Sequence, residues 1–97
     1  MGNITHQEEI FIDVDNELHQ TVKGMISDDY KERFKAEYKQ VIIRMNRLED
    51  IINKIEYDCA EFKPTCSLIL LKRQYGTMIS YASILEDRAG YEGINLD

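Results

Sequence analysis

Two stretches of the chain repeat apolar residues with the spacing of helices that pack along their length. In residues 28–56 the apolar positions are separated by 4, 3, 4, 3, 4 and 3 residues, and in residues 66–91 by 3, 4, 3, 4, 3 and 4. A sustained period of about 3.5 residues is typical of helices whose apolar seam faces another helix. The first seam is Phe34, Tyr38, Val41, Met45, Leu48, Ile52 and Ile55, and the second is Leu68, Leu71, Tyr75, Met78, Ala82, Leu85 and Ala89.

Helix-capping residues bound the first long helix, and a loop follows it. Asp29 and Glu32 have the spacing of a capping box, with Ser27 and Asp28 as alternative caps. Residues 57–65 interrupt the apolar repeat, and Pro64 fits best just before a helix begins. Two seams of equal length joined by a short loop predict an antiparallel helical hairpin.

The second long helix is predicted to begin beside Thr65 or Ser67 and to end at Gly90 and Gly93. Cys66 lies beside the cap and is expected to be a small buried residue, with Phe62 packed under the loop. Beyond the helix, Ile94 and Leu96 are candidates to fold back onto it.

Residues 1–27 form an acidic arm whose structure the sequence leaves open. A T-x-x-E capping box at Thr5 and an apolar spacing of three or four residues favour a helix from about Thr5 to Lys23. The alternative is a short strand at residues 10–14, where Ile10, Ile12 and Val14 alternate with other residues. We expect the helix, because no other segment offers a strand to pair with.

Both long helices carry more apolar residues than one seam requires. A single partner helix would leave the additional residues uncovered, so the N-terminal helix or another copy of the chain must cover them. The sequence therefore predicts an all-α fold: one domain over residues 1–97, a hairpin of two long helices plus a shorter N-terminal helix, assembled as an oligomeric bundle. The additional apolar residues are Ile42, Ile43, Ile51, Ile69, Leu70, Ile79 and Ile84.

Net charge and the distribution of apolar residues limit which partners and which cellular compartment are expected. The net charge is −6, which argues against binding to duplex DNA, because affinity for phosphate comes mostly from Lys and Arg. The sequence has no signal-peptide pattern and no apolar run long enough to cross a membrane. We therefore expect a cytoplasmic protein in which Cys59 and Cys66 stay reduced.

The residue inventory predicts a protein that is not an enzyme and that needs no cofactor or metal. His6 and His19 lie in the arm, without the acid and nucleophile of a catalytic triad. The metal-ligand spacings CxxC, HxxxH and ExxH do not occur. Adjacent carboxylates such as Glu49 and Asp50 point in different directions on a helix, and we interpret them as solvent-exposed.

Tyrosine and basic residues occur together along both long helices. Tyrosine rings stack on nucleobases and guanidinium groups bind phosphate, so this mixture suits a nucleotide held between helices. The competing interpretation is that the tyrosines border amphipathic helices, where one end of the ring stays wet. The candidate ligand-binding residues are Tyr38, Arg44, Lys72, Tyr75, Tyr81 and Arg88.

Residues 30–96 resemble small helical-hairpin proteins of tailed phages and prophages, including crAss-like phages. Members share K-x-E-Y at the start of the first long helix, an arginine or lysine and a leucine midway along it, and L-K-x-Q…M-x-x-Y-x-x-x-L-E-x-R in the second. F-x-P-T-C before the second helix and E-G-I-x-L at the end resemble the prophage branch. They fall on Lys35, Glu37, Tyr38, Leu48, Leu71, Lys72, Gln74, Met78, Tyr81, Leu85, Glu86, Arg88, Phe62, Pro64, Thr65, Cys66 and residues 92–96. In architecture alone, a short helix before a hairpin is similar to phage anti-CBASS sponge proteins, which sequester cyclic nucleotides between protomers.

These resemblances imply a phage-encoded binding protein that counters bacterial immunity. The favoured mechanism is sequestration of a nucleotide immune signal between protomers. The alternatives are direct inhibition of a host defence protein and a structural or regulatory role in phage replication or assembly. The implied partners are further copies of the chain and either a cyclic nucleotide, another nucleotide-derived signal or a host defence protein.

Overall fold

The computed structural model describes residues 17–97, and these residues form three α-helices. Helix α1 occupies residues 17–25, α2 spans Tyr30–Glu56 and α3 spans Leu68–Glu92. No strand occurs among the described residues, so the all-α prediction is confirmed for them. The alternative strand at residues 10–14 and the earlier part of the predicted first helix lie outside the described residues.

The chain divides into two compact units. The first is Met1–Gln40 and the second is Val41–Asp97, so the boundary falls inside α2. The first unit contains α1 and the beginning of α2. The second contains the rest of α2, the connecting segment and α3.

In the first unit, α1 packs closely against the start of α2. A Cβ placed on Gly24 would lie 2.9 Å from the Cβ of Ala36, so only a residue without a side chain fits there. Thr21 is buried; its hydroxyl donates to the Leu18 carbonyl oxygen at 2.6 Å and accepts from Gln40 Nε2 at 2.8 Å. Burial of this hydroxyl is therefore compensated by two hydrogen bonds.

Asp29 caps the start of α2 as predicted, but Ser27 rather than Glu32 accepts the hydrogen bond from its backbone N–H. The backbone N–H of Lys31 donates to Asp29 Oδ1 at 2.9 Å, as an N-cap requires. The backbone N–H of Asp29 donates to Ser27 Oγ at 3.0 Å, whereas Glu32 pairs with Lys35. Asp29 is thus the cap, and Ser27 occupies the position that a capping box would give to Glu32.

Helix α2 ends in a Schellman motif that the sequence did not reveal. Asp58 adopts a left-handed conformation with φ 54°. Its backbone N–H donates to the Ile55 carbonyl at 3.2 Å, and that of Cys59 donates to the Lys54 carbonyl at 2.9 Å. These are the two hydrogen bonds of the motif, built here on an aspartate where glycine is usual.

Both predicted seams are confirmed as the least exposed sides of their helices. Every residue of the two seams is buried or half-buried. The most deeply buried side chain in the second unit is Leu85, which is 1% exposed. The buried residues of this unit are Val41, Leu48, Ile52, Ala82, Leu85, Ala89 and Ile94.

The ends of α3 agree with the prediction except at Gly90. Ser67 is the N-cap, and its hydroxyl accepts from the backbone N–H three residues later at 3.1 Å. Gly93 caps the C-terminus with φ 68°, and Ile94, bonded through its N–H to the Ala89 carbonyl, is buried. The prediction that Gly90 ends the helix was wrong, because α3 continues through it to Glu92.

The segment between the long helices leaves its apolar side chains in solvent. Phe62 is exposed, so the prediction that it packs under the loop was wrong. Cys66 is also exposed, which corrects its interpretation as a buried residue. The physical reason is that both lie in the irregular segment between the long helices, in which no residue from 57 to 67 is buried.

Candidate functional site

Two side-chain contacts join the second half of α2 to the first half of α3. The hydroxyl of Tyr75 donates to the carboxylate of Glu49, and the ammonium group of Lys72 binds the carboxylate of Glu56. Glu49 and Glu56 are two helical turns apart and therefore share one side of α2. Lys72 and Tyr75 are three residues apart and are neighbours on α3. We call these four residues the polar edge.

The polar edge raises the pKa of its tyrosine. The hydrogen bond to Glu49 raises the pKa of Tyr75, and desolvation and the negative charge of Glu49 raise it further. The hydroxyl, which an ordinary tyrosine also keeps protonated at neutral pH, remains a hydrogen-bond donor to higher pH here.

Lys72 can exchange the Glu56 carboxylate for another anion. Both side chains are substantially exposed. Exposed ion pairs contribute about 0–1 kcal/mol, so an incoming phosphate could replace the Glu56 carboxylate at little cost. The same holds for the exposed pair between Arg88 Nε and Glu92 Oε2, at 3.3 Å within α3.

Tyr81 and Arg88 form a second group on another side of α3. They are seven residues apart, so they project from nearly the same side of the helix. At 100° per residue, this side lies about half a turn from that of Lys72 and Tyr75. One copy of α3 therefore presents its four candidate residues as two separate groups.

The remaining two candidates lie on α2. Arg44 is exposed in the second unit, whereas Tyr38 is half-buried and belongs to the first unit. Of the six predicted ligand residues, Lys72 and Tyr75 lie together at the polar edge, and Tyr81 and Arg88 lie on one side of α3 about two turns apart. Their role in binding a ligand stays a prediction.

Glu49 and Glu56 are the residues of this site that the sequence did not single out. Glu49 was interpreted as one member of a solvent-exposed carboxylate pair, and it is exposed but engaged by Tyr75. The available signal was their seven-residue spacing beside the α2 seam, which matches the spacing at which polar residues border a helix–helix contact.

Metal ligands, disulfides and membrane spans each have structural requirements that can be compared with the described residues. Within residues 17–97 no three His, Cys, Asp or Glu side chains are grouped so that they could hold a metal ion. Cys59 and Cys66 are both free and exposed. None of the helices in this part of the chain is long and apolar enough to cross a membrane.

Residues 28–91 match the sequence model of the Sequestin family. The chain belongs to the Sequestin family. The match covers α2, the connecting segment and nearly all of α3, and therefore includes both the polar edge and the Tyr81–Arg88 group. Neither a curated protein nor a solved structure gives a match to the chain. Membership in Sequestin implies a binding protein rather than an enzyme.

Proposed function

We propose that this chain is a non-catalytic protein that sequesters a nucleotide immune signal and thereby counters bacterial immunity during phage infection. The observation that carries the proposal is the Sequestin match over residues 28–91, because the family name denotes sequestration. The tyrosine and basic residues of the matched region have the chemistry that a nucleotide requires. Rings stack on bases, and cations bind phosphate.

The fold proposed for this function is an antiparallel hairpin of α2 and α3. Glu56, near the end of α2, contacts Lys72, near the start of α3. Seven residues earlier in α2, Glu49 contacts Tyr75, which lies later in α3. Moving backwards along one helix thus corresponds to moving forwards along the other, which supports opposite chain directions.

The ligand site is proposed to lie between copies of the chain. In one copy, Lys72 and Tyr75 project from nearly the opposite side of α3 to Tyr81 and Arg88. A nucleotide is enclosed only when a second surface covers it, and sites that hold small molecules are concave. A second copy supplies that surface, which makes self-association part of the proposed function.

Calorimetric titration tests the proposal. The ligands are cyclic di- and trinucleotides and cyclic ADP-ribose isomers, added to the parent chain and to Lys72→Ala and Arg88→Ala. We expect one ligand class to bind the parent and to bind each variant at least about tenfold more weakly, as loss of a charged hydrogen bond predicts. Lys63→Ala, which removes an exposed lysine from the connecting segment, is the matched control and should bind like the parent.

Two results would contradict part of this proposal. Binding that survives both substitutions keeps the sequestering function and discards these residues as the site. Absence of heat with every ligand contradicts nucleotide sequestration and favours direct inhibition of a host defence protein, for which exposed aliphatic residues such as Ile69 and Ile84 offer a contact surface.

A further inference from the structure

The side of α3 that points away from its buried seam carries large aliphatic side chains. Ile69 is 75% exposed and Ile84 is 57% exposed. At 100° per residue, both lie roughly opposite the buried residues Ala82, Leu85 and Ala89. Isolated exposed aliphatic residues are ordinary, whereas several on one side of a helix can mark a surface that binds another protein.

Several residues between these isoleucines are small. Gly76, Ser80 and Ser83 lie on the same side of α3, and a Cβ added to Gly76 would meet no atom within 4 Å. The packing of one copy therefore does not require glycine there, although glycine weakens a helix relative to alanine. A low surface of this kind lets another helix approach closely.

This side of α3 also carries two opposite charges placed symmetrically. Arg73 precedes Ser80 by seven residues and Asp87 follows it by seven. Among the described residues neither side chain takes part in an ion pair. They are about 21 Å apart along the helix, so they cannot pair with each other within one copy.

We propose that this surface binds the same surface of a second copy, with the two α3 helices antiparallel about a two-fold axis beside Ser80. The axis brings Arg73 of each copy level with Asp87 of the other, so the dimer contains two Arg73–Asp87 ion pairs. It also brings Gly76 level with Ile84 of the other copy. We call this surface the outer face; it consists of Ile69, Arg73, Gly76, Ser80, Ser83, Ile84 and Asp87.

An interface at the outer face would bring together the two copies between which the ligand is proposed to bind. This inference rests on the proposed function only in that the function requires a second copy. Equivalent residues lie on the same side of a two-fold pair. The two copies of Tyr81, one residue beyond Ser80, therefore lie at one border of the interface, where a ligand can contact both chains.

Sedimentation of the ligand-free protein, with charge reversals, tests the interface. Arg73→Asp and Asp87→Arg should each weaken dimerisation at least about tenfold, because each creates two like-charge contacts. The double variant Arg73→Asp/Asp87→Arg should restore the parent dissociation constant. Because the two residues are too distant to pair within a chain, restoration reports pairing between copies. Lys63→Asp makes the same change of net charge as Arg73→Asp, outside the outer face, and should dimerise like the parent.

Gly76→Gln gives a second test that does not depend on charge. It should raise the melting temperature of the dilute monomer, since a side chain there meets open space and strengthens the helix, and yet weaken dimerisation at least about tenfold. A parent chain that stays monomeric at micromolar concentration overturns the inference. So does a dimer that both single charge reversals and Gly76→Gln leave intact. If the chain dimerises as predicted but binds no nucleotide in the calorimetric titration, the interface is retained and only the proposed function is contradicted.

Discussion

The hydroxyl of Tyr75 in α3 donates a hydrogen bond to the carboxylate of Glu49 in α2. This contact raises the pKa of Tyr75, first through the hydrogen bond and then through desolvation and the charge of Glu49. The folded chain therefore holds the Tyr75 proton more tightly than the unfolded chain does. The stabilisation is complete below the ordinary tyrosine pKa of about 10 and is lost as the pH rises through the higher folded-state pKa.

The first prediction concerns the titration of this tyrosine. The absorbance of the tyrosines as the pH rises should include an ionisation of Tyr75 above the ordinary tyrosine range. Tyr75→Phe should abolish that late step and Glu49→Gln should move it to lower pH. Tyr57→Phe, which removes an exposed tyrosine, should leave it in place. If Tyr75→Phe leaves the late part of the titration unchanged, the raised pKa does not belong to Tyr75.

The second prediction concerns the core. Leu85→Ala should lower the free energy of unfolding by about 2–5 kcal/mol, because it leaves a cavity at the most deeply buried side chain of the second unit. Leu48→Ala should act in the same way, since Leu48 lies buried in the α2 seam. Ile26→Ala is the control, with a side chain that is 78% exposed, and should change stability by less than about 0.5 kcal/mol in denaturant unfolding. An unchanged midpoint for Leu48→Ala would mean that the helix register is wrong.

The third prediction compares two helical glycines. Gly24→Ala should destabilise the fold by about 1–3 kcal/mol, because its Cβ would collide with Ala36. Gly90→Ala should stabilise it by up to about 1 kcal/mol, because the new methyl meets nothing within 4 Å and alanine favours the helix. Thermal unfolding of both variants measures the difference, and Ala36→Gly should offset the cost of Gly24→Ala. Equal effects at the two positions would contradict the close approach of α1 and α2.

The fourth prediction concerns the end of α2. Asp58→Gly should stabilise the protein by about 1 kcal/mol, since glycine adopts a positive φ without steric cost. Asp58→Val should destabilise it, because a β-branched residue is strained in that conformation. Denaturant unfolding of the two variants should shift the midpoint in opposite directions. A shift in the same direction would show that residue 58 does not hold the left-handed conformation in solution.

The sequence predicted the helices well because their signals are local and periodic. The heptad seams and the Asp29 and Ser67 caps depend on residues close together in the chain, and each is present in the structure. The prediction that Gly90 ends α3 was wrong because the sequence does not show whether a glycine continues a helix or ends it. Only its conformation distinguishes it from Gly93, whose φ is positive.

The candidate site was less predictable because it depends on contacts between residues distant in sequence. The selection of Lys72 and Tyr75 relied on residue type, and it could not show that Glu56 and Glu49 engage them. The outer face was seen only as additional apolar residues, Ile69 among them. Its symmetry about Ser80 became apparent once the buried side of α3 was known.

Native mass spectrometry of the protein purified from phage-infected, defence-induced cells tests the central claim most directly. The account predicts a species of at least two 11.4 kDa chains that carries a nucleotide, and denaturation should release this nucleotide with its mass unchanged. Release of the intact ligand distinguishes sequestration from catalysis. Chains of the correct mass without any nucleotide, from cells in which the signal is detected, would contradict the claim.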